Sequence, residues 1–299
     1  MQRLFLILLF VAMFFWGLSW PTSKILSAMH SPFIVAFGRF LLVALCLLPV
    51  IKYAKLSFKI PKDCIFALII NVLSNASYSL VFFYAINLGS AGSAGIITTT
   101  LSPIIATLLS VVIFKNMLNR REMLGLFIGL ISGIFFIANS QSLLNAFNLF
   151  FILAAFLWAG VTLSAKKLPL NPLVLNFYSA FFSAMLFIPF VKISEFNIFY
   201  EAKSLSLLLV IAVLSTVFGT SIYYKSIYVL GVVKSSCFTL LVPLFALILS
   251  MIILGEIPEI STIIGGILAV IAIYLISLYD RRHWQFLGRF FKQKYKKDK

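Results

Sequence analysis

Apolar residues run along the chain in ten long blocks, approximately 4–23, 33–51, 64–88, 94–114, 122–138, 149–165, 173–191, 205–225, 235–254 and 260–279. Most of the charge falls between them or beyond the last. Each block approaches the roughly 20 residues that a helix needs to cross a hydrocarbon core about 30 Å thick. No block alternates polar and apolar residues with the period of two that a barrel strand requires. A backbone in lipid must satisfy its own hydrogen bonds, so the pattern predicts an all-α integral membrane protein of ten transmembrane helices.

The blocks also read twice. Trp16, Lys24, Pro32, Pro49, Leu88-Gly89 and Pro103 recur as Trp158, Lys166, Pro172, Pro189, Leu230-Gly231 and Pro243. The paired lysines and glycines stand 142 residues apart and the paired prolines 140, a drift that small changes in loop length explain. The chain therefore divides into two five-helix repeats, residues 1–140 and 148–280, followed by a basic tail, 281–299. Five is odd, so the second repeat enters the bilayer from the opposite face. Inverted repeats of this kind let secondary transporters alternate access around a site near the midplane.

Composition fits this reading. The chain is 62% hydrophobic and 11% charged, with a mean hydropathy of +1.11, against about 45–50% and 25% in soluble domains. No polar linker separates the halves, so they form one integral domain. A net charge of +16 would suggest nucleic acid as a partner of a soluble protein; here the cations flank apolar blocks and no nucleic acid is expected. With the N-terminus threaded inside, twenty of the 24 lysines and arginines share one side, leaving Lys24, Lys192 and Lys203 opposite and Arg39 within a span. The positive-inside rule then puts both termini in the cytoplasm of a multi-pass inner (plasma) membrane protein. Residues 4–20 read as an uncleaved first helix, since no secreted polar domain follows them. The tail, with Trp284, Leu287, Phe290 and Phe291 among its basic residues, reads either as a topogenic anchor or as an amphipathic segment lying on anionic lipid.

Arg39 stands out among Phe37, Phe40, Leu41 and Leu42, because a charge inside a membrane is costly and faces protein or water. It is either an anchor for a substrate carboxylate or phosphate, or a structural arginine that binds helix-end carbonyls or snorkels outward. Asn71, Asn75, Tyr78 and Phe82 share one face of the third helix, and Thr216, Thr220 and Tyr223 form a comparable stripe on the eighth. These stripes are cavity walls or interhelical hydrogen-bonding faces. Thr98, Thr99, Thr100 and Ser102 precede Pro103, as Ser235, Ser236 and Thr239 precede Pro243, and proline frees a carbonyl and bends a helix, so both prolines are candidate hinges. Gly125, Gly129 and Gly133, with Gly265, Gly266 and Ala269, suit close packing of the repeat-ending helices or a homodimer face.

Other chemistry is missing. Asp63, Glu122, Glu195, Glu201, Glu256, Glu259, Asp280 and Asp298 all lie in loops or near span ends, and His30 and His283 are peripheral. HExxH, paired-acid and GxxxxGK[ST] motifs are absent, and Cys46, Cys64 and Cys237 lack metal-ligand spacing. No catalytic residue, metal or cofactor is expected. The absence of an embedded carboxylate disfavours a proton relay or a cationic drug, and points to exchange or facilitated flow.

Phe15-Trp16-Gly17 with Lys24, Arg39, Leu88-Gly89, Pro103, Pro243 and Leu254-Gly255-Glu256 with Gly265-Gly266 together resemble the drug/metabolite transporter superfamily, in particular its ten-helix EamA-type permeases. The resemblance covers residues 1–280. One departure is Asn116 where the second repeat has Glu256. The resemblance implies a permease that alternates access around a cavity between helices 1, 3, 4, 6, 8 and 9, often exporting amino acids or related metabolites. It supports Trp16, Asn75, Tyr78, Thr99, Thr162 and Tyr223 as lining positions beside Arg39, Asn71 and Thr220, with Pro103 and Pro243 as lining or hinge positions. The substrate expected is a small amino acid or carboxylate-bearing compound. Alternatives are export of drugs or nucleoside-like metabolites and, from a different class, a channel or a non-transporting scaffold or sensor.

Overall fold

The computed structural model describes residues 2–88, 91–115, 118–137, 146–255 and 260–278, and all regular structure among them is helical. Helix α1 spans Gln2–Met29, α2 Pro32–Tyr53, α3 Ile65–Ala85, α4 Ala91–Phe114, α5 Arg120–Ile137, α6 Ala146–Lys167 and α7 Pro172–Phe187. Helix α8 runs over Ala202–Leu230 and α9 over Val232–Leu254. Helix α10 covers Ile260–Ile273 and continues as π-wound backbone over Tyr274–Leu278. Seven helices among the described residues are long and apolar enough to cross a membrane. Gly89, Asn116, Glu256, Glu259, Asp280, His283, Asp298 and the rest of the 281–299 tail lie outside the described residues.

The helix starts follow from local chemistry. Ser31 caps α2 by accepting from the Ile34 amide, and Pro32 fills the first helical position, where no donor is needed. Its repeat mate is built alike: Asn171 Oδ1 accepts from the Leu173 amide at 3.0 Å ahead of Pro172. Asn119 caps α5 through the amides of Arg121 and Glu122, while the Glu122 carboxylate accepts from the Asn119 amide in return. The two candidate hinges differ. α4 passes Pro103 without a break, whereas a tight 3-10 turn, Thr239–Leu241, precedes Pro243 in α9.

Exchanging the two halves leaves the pattern of helix pairs unchanged. α1 packs on α8 as α6 packs on α3, α1 on α9 as α6 on α4, and α2 on α8 as α7 on α3. The pairs α2 with α7, α4 with α9 and α5 with α10 each map onto themselves. Individual contacts obey the same exchange. The rings of the repeat mates Trp16 and Trp158 are 5.0 Å apart, and Thr239 Oγ1 donates to the carbonyl of its mate Thr99 at 3.3 Å. A two-fold axis relating the halves would run between these pairs. Asn75 Nδ2 donates to Ser179 Oγ at 2.8 Å, and Arg39 Nε donates to Thr216 Oγ1 at 2.9 Å, the corresponding contact between the corresponding helices.

The outer face is apolar, and polar side chains are buried within an otherwise apolar core. Asn71, Asn75, Asn176, Ser183 and Thr216 are buried, whereas Phe66, Leu73, Val112 and Ile252 face outward. Lipid tails are as apolar as leucine, so close packing and interhelical hydrogen bonds hold such a bundle together. The small residues serve this purpose within the chain: Gly125 lies against Ile276 and Ala272, and Gly133 against Thr100. Backbone is also engaged at Gly17, where a Cβ would lie 2.3 Å from Phe245 Cβ and 3.0 Å from the Ala246 nitrogen on α9. Gly17→Ala therefore lowers stability by about 1–3 kcal/mol in detergent unfolding. Gly129→Ala, whose Cβ would meet its nearest neighbour at 3.4 Å, leaves the midpoint unchanged.

Candidate functional site

A cavity lies where the repeat mates meet. Trp16, Ser19, Trp20 and Ser23 of α1 form one wall, and Arg39 of α2, Tyr78 and Phe82 of α3 and Thr98, Thr99 and Ser102 of α4 continue it. Trp158 of α6, Ile211 and Ser215 of α8 and Thr239 and Val242 of α9 complete the lining. About 40 Å³ is open to the centres of water-sized molecules, where a single water needs about 10–15 Å³. The site in this conformation has room for a few waters and is too tight for a metabolite. Larger grooves between α3 and α7 and between α9 and α10 are walled by hydrocarbon side chains and carry no polar group that could orient a ligand.

Arg39 is the charge in this lining. It turns inward, so the snorkelling alternative is overturned: its Nε donates to Thr216 Oγ1, and its guanidinium carbon lies 5.5 Å from the Phe40 ring centre. Among the described residues no carboxylate lies within ion-pair distance of it. A guanidinium has five N–H donors, and among the described residues the side-chain hydrogen bond from Arg39 is the one from Nε.

The aromatic residues beside it are held in fixed orientations. Trp16 Nε1 donates to the Ser215 carbonyl at 2.9 Å, and the Trp16 ring lies 5.0 Å from both Trp158 and Tyr223. The Tyr78 ring lies tilted at 4.9 Å from Trp158 and stacks at 5.9 Å from Phe82. Gly219 makes room for the indole, since a Cβ there would lie 2.7 Å from Trp16 Nε1. At the end of α1 remote from the N-terminus, His30 Nε2 bonds Ser204 Oγ at 2.7 Å, and Ser204 donates to Glu201 at 2.8 Å, tying α1 to the start of α8.

Of the residues expected at a binding site, Trp16, Arg39, Tyr78 and Thr99 line the cavity. Asn71, Asn75, Thr162, Thr220 and Tyr223 do not. Asn71 donates to the Val161 carbonyl at 3.1 Å and to Ser164 at 3.0 Å, and accepts from Tyr224 at 3.4 Å. Thr162 bonds the Tyr223 hydroxyl at 2.9 Å behind the tryptophans, and Thr220 is buried. Pro103 and Pro243 stand next to the lining residues Ser102 and Val242. Ser19, Trp20 and Ser23 are lining residues that the stripe argument passed over. With Trp16 they repeat at steps of 3, 1 and 3, a helical face as clear as that of α3. Ser215 carried no such signal, because the backbone around it is not α-helical.

The division between holding residues and lining residues has a measurable consequence. Asn71→Leu removes bonds across α3, α6 and α8 and lowers stability by about 1–2 kcal/mol in detergent unfolding. Ser102→Ala at the cavity wall leaves the midpoint unchanged.

The EamA-like transporter family matches residues 3–138 and 146–278, one family domain for each half of the chain. An uncharacterized transporter of Archaeoglobus fulgidus is 27% identical over 283 residues, covering 91% of this chain and 96% of that protein. The uncharacterized transporter YetK of Bacillus subtilis is 24% identical, covering 85% of this chain and 83% of its own. A crystal structure with 18% identity superposes with a TM-score of 0.67 over 92% of this chain and 97% of that one, a likeness of fold alone. With both halves matched and a helical bundle built to cross a membrane, the chain belongs to the EamA-like transporter family and is a multi-pass membrane transporter, not an enzyme.

Proposed function

We propose that the protein is a secondary transporter that moves a small carboxylate-bearing metabolite, such as an amino acid, by alternating access across an inner membrane. In this reading ten transmembrane helices form two inverted five-helix repeats, residues 1–140 and 148–280. The cation distribution supports cytoplasmic termini, and the exchange-invariant helix pairing supports two equivalent halves closing in turn around one site.

The observation that carries the reading is Arg39, a cation on the cavity wall with no carboxylate beside it among the described residues. Removing an ion from water costs several kcal/mol unless it is paired and hydrogen-bonded. An anionic substrate would supply that pairing, with bidentate geometry on the terminal nitrogens. A lipophilic cation would meet like charge instead. The confined volume implies that binding goes with opening of the helices around Trp16 and Trp158. Those rings, with Tyr78, also give a second reading weight, a planar nucleoside-like substrate stacked between aromatic faces.

Uptake of labelled amino acids, other carboxylates, nucleosides and quaternary amines into proteoliposomes tests this. The expected result is uptake of a carboxylate, reduced about tenfold or more in Arg39→Ala and partly retained in Arg39→Lys, the loss expected when a charge-assisted bond is removed. Transport of quaternary amines alone, or an unchanged rate in a folded Arg39→Ala protein, contradicts it.

A further inference from the structure

The middle of α8 departs from α-helical winding. Val210–Thr220 is π-wound between α-helical stretches, Ala202–Leu209 and Ser221–Leu230. The corresponding helix of the first half, α3, is α-helical from Ile65 to Ala85. π winding inside an α-helix is rare and is found at functional sites.

Three interhelical bonds end on two consecutive residues of this segment. Trp16 of α1 donates to the Ser215 carbonyl at 2.9 Å, and Asn176 of α7 donates to the Thr216 carbonyl at 2.8 Å. Arg39 of α2 donates to Thr216 Oγ1 at 2.9 Å, and that hydroxyl donates in turn to the Ile211 carbonyl, five residues back, at 2.8 Å. Thr216 is thus held by its hydroxyl from α2 and by its carbonyl from α7, two helices that pack on each other. Asn176 is buried, also donates to Ser221 Oγ at 2.9 Å, and is not part of the cavity wall. Its repeat mate is Ala36, so the first half has no equivalent of this grip.

We infer that Asn176 and Thr216 are positioning residues for transport: they hold the π-wound turns of α8 as a hinge whose state Arg39 reads from the cavity. The inference rests on the alternating-access reading. A bound anion draws the terminal nitrogens of Arg39 toward it, and the Arg39 Nε bond carries that displacement to Thr216. Backbone there is already off the α-helical ladder, so it can rewind within a turn instead of breaking a regular helix. Asn176 decides how far it goes, because the carbonyl it holds and the Ser221 hydroxyl lie on either side of the junction where α-helical winding resumes. Trp16 on Ser215 couples the same turn to α1, which bears most of one cavity wall.

A thiol reporter tests this without a known substrate. Ser102→Cys is placed in a protein with Cys46, Cys64 and Cys237 replaced by alanine, and proteoliposomes are treated from either side with a membrane-impermeant sulfonate-bearing methanethiosulfonate. The parent is expected to react from both sides. Asn176→Leu and Thr216→Val are expected to slow labelling from one side by about tenfold, the size of a shift in population between two states. Thr216→Ser, which keeps the hydroxyl, is expected to behave as the parent. If Asn176→Leu does not fold, the contrast between Thr216→Val and Thr216→Ser decides alone. A parent labelled from both sides with folded variants that match it overturns the hinge and leaves alternating access standing. A parent labelled from one side only overturns alternating access and the hinge with it.

Discussion

A guanidinium inside an apolar bundle persists only where its hydrogen bonds are met and its charge faces water or a counter-ion. Arg39 meets that constraint with one bond to Thr216 and an open side toward the cavity. Much of the central architecture follows from it. α8 must bring Thr216 to α2, and the π winding around that residue leaves carbonyls for Asn176 and Trp16 to take up. Trp16, anchored in this way, stands edge-on to Trp158. A cavity results whose lining mixes hydroxyl and aromatic side chains and is charged at a single position, Arg39.

The two halves share a packing plan but not a chemistry. Where the first half sets Arg39 against Thr216 of the second, the second half sets Ser179 against Asn75 of the first, so one crossing carries charge and its mate carries a neutral hydrogen bond. The same division appears in the helices themselves, π-wound in α8 and α-helical in α3. Two-fold pairing offers two equivalent ways to close around the axis. The asymmetric residues give that axis a ligand-facing side. Symmetry therefore accounts for the proposed motion, and departures from symmetry account for the proposed selectivity.

Much of this was legible in the chain because local chemistry determines it. The cost of burying unpaired backbone in lipid dictates helices, so the apolar blocks alone predict them. Arg39 was conspicuous because its charge is costly where it sits. The stripe on α3 reads as a cavity wall or an interhelical face; Asn71 and Asn75 bond neighbouring helices, while Tyr78 of the same stripe lines the cavity. Periodicity identifies a face and not the neighbour it meets, however, so these residues could not be told apart from Tyr78, which reaches the cavity. The π winding of α8 had no local signature, since its bonds come from α1, α2 and α7, distant in sequence. The unequal prolines belong to the same class: Pro103 and Pro243 are equivalent in spacing, and only the turn at Thr239–Leu241 separates them.

The central claim is that one Arg39-centred site opens to each side of the membrane in turn. Counterflow tests it most directly: proteoliposomes are loaded with an unlabelled carboxylate substrate, diluted, and followed for entry of the same compound labelled at trace concentration. Alternating access predicts a transient accumulation of label above its equilibrium level, because the internal unlabelled pool occupies the site whenever it faces inward. A monotonic approach to equilibrium, with no overshoot at any internal load, is the behaviour of an open pore and would contradict the account.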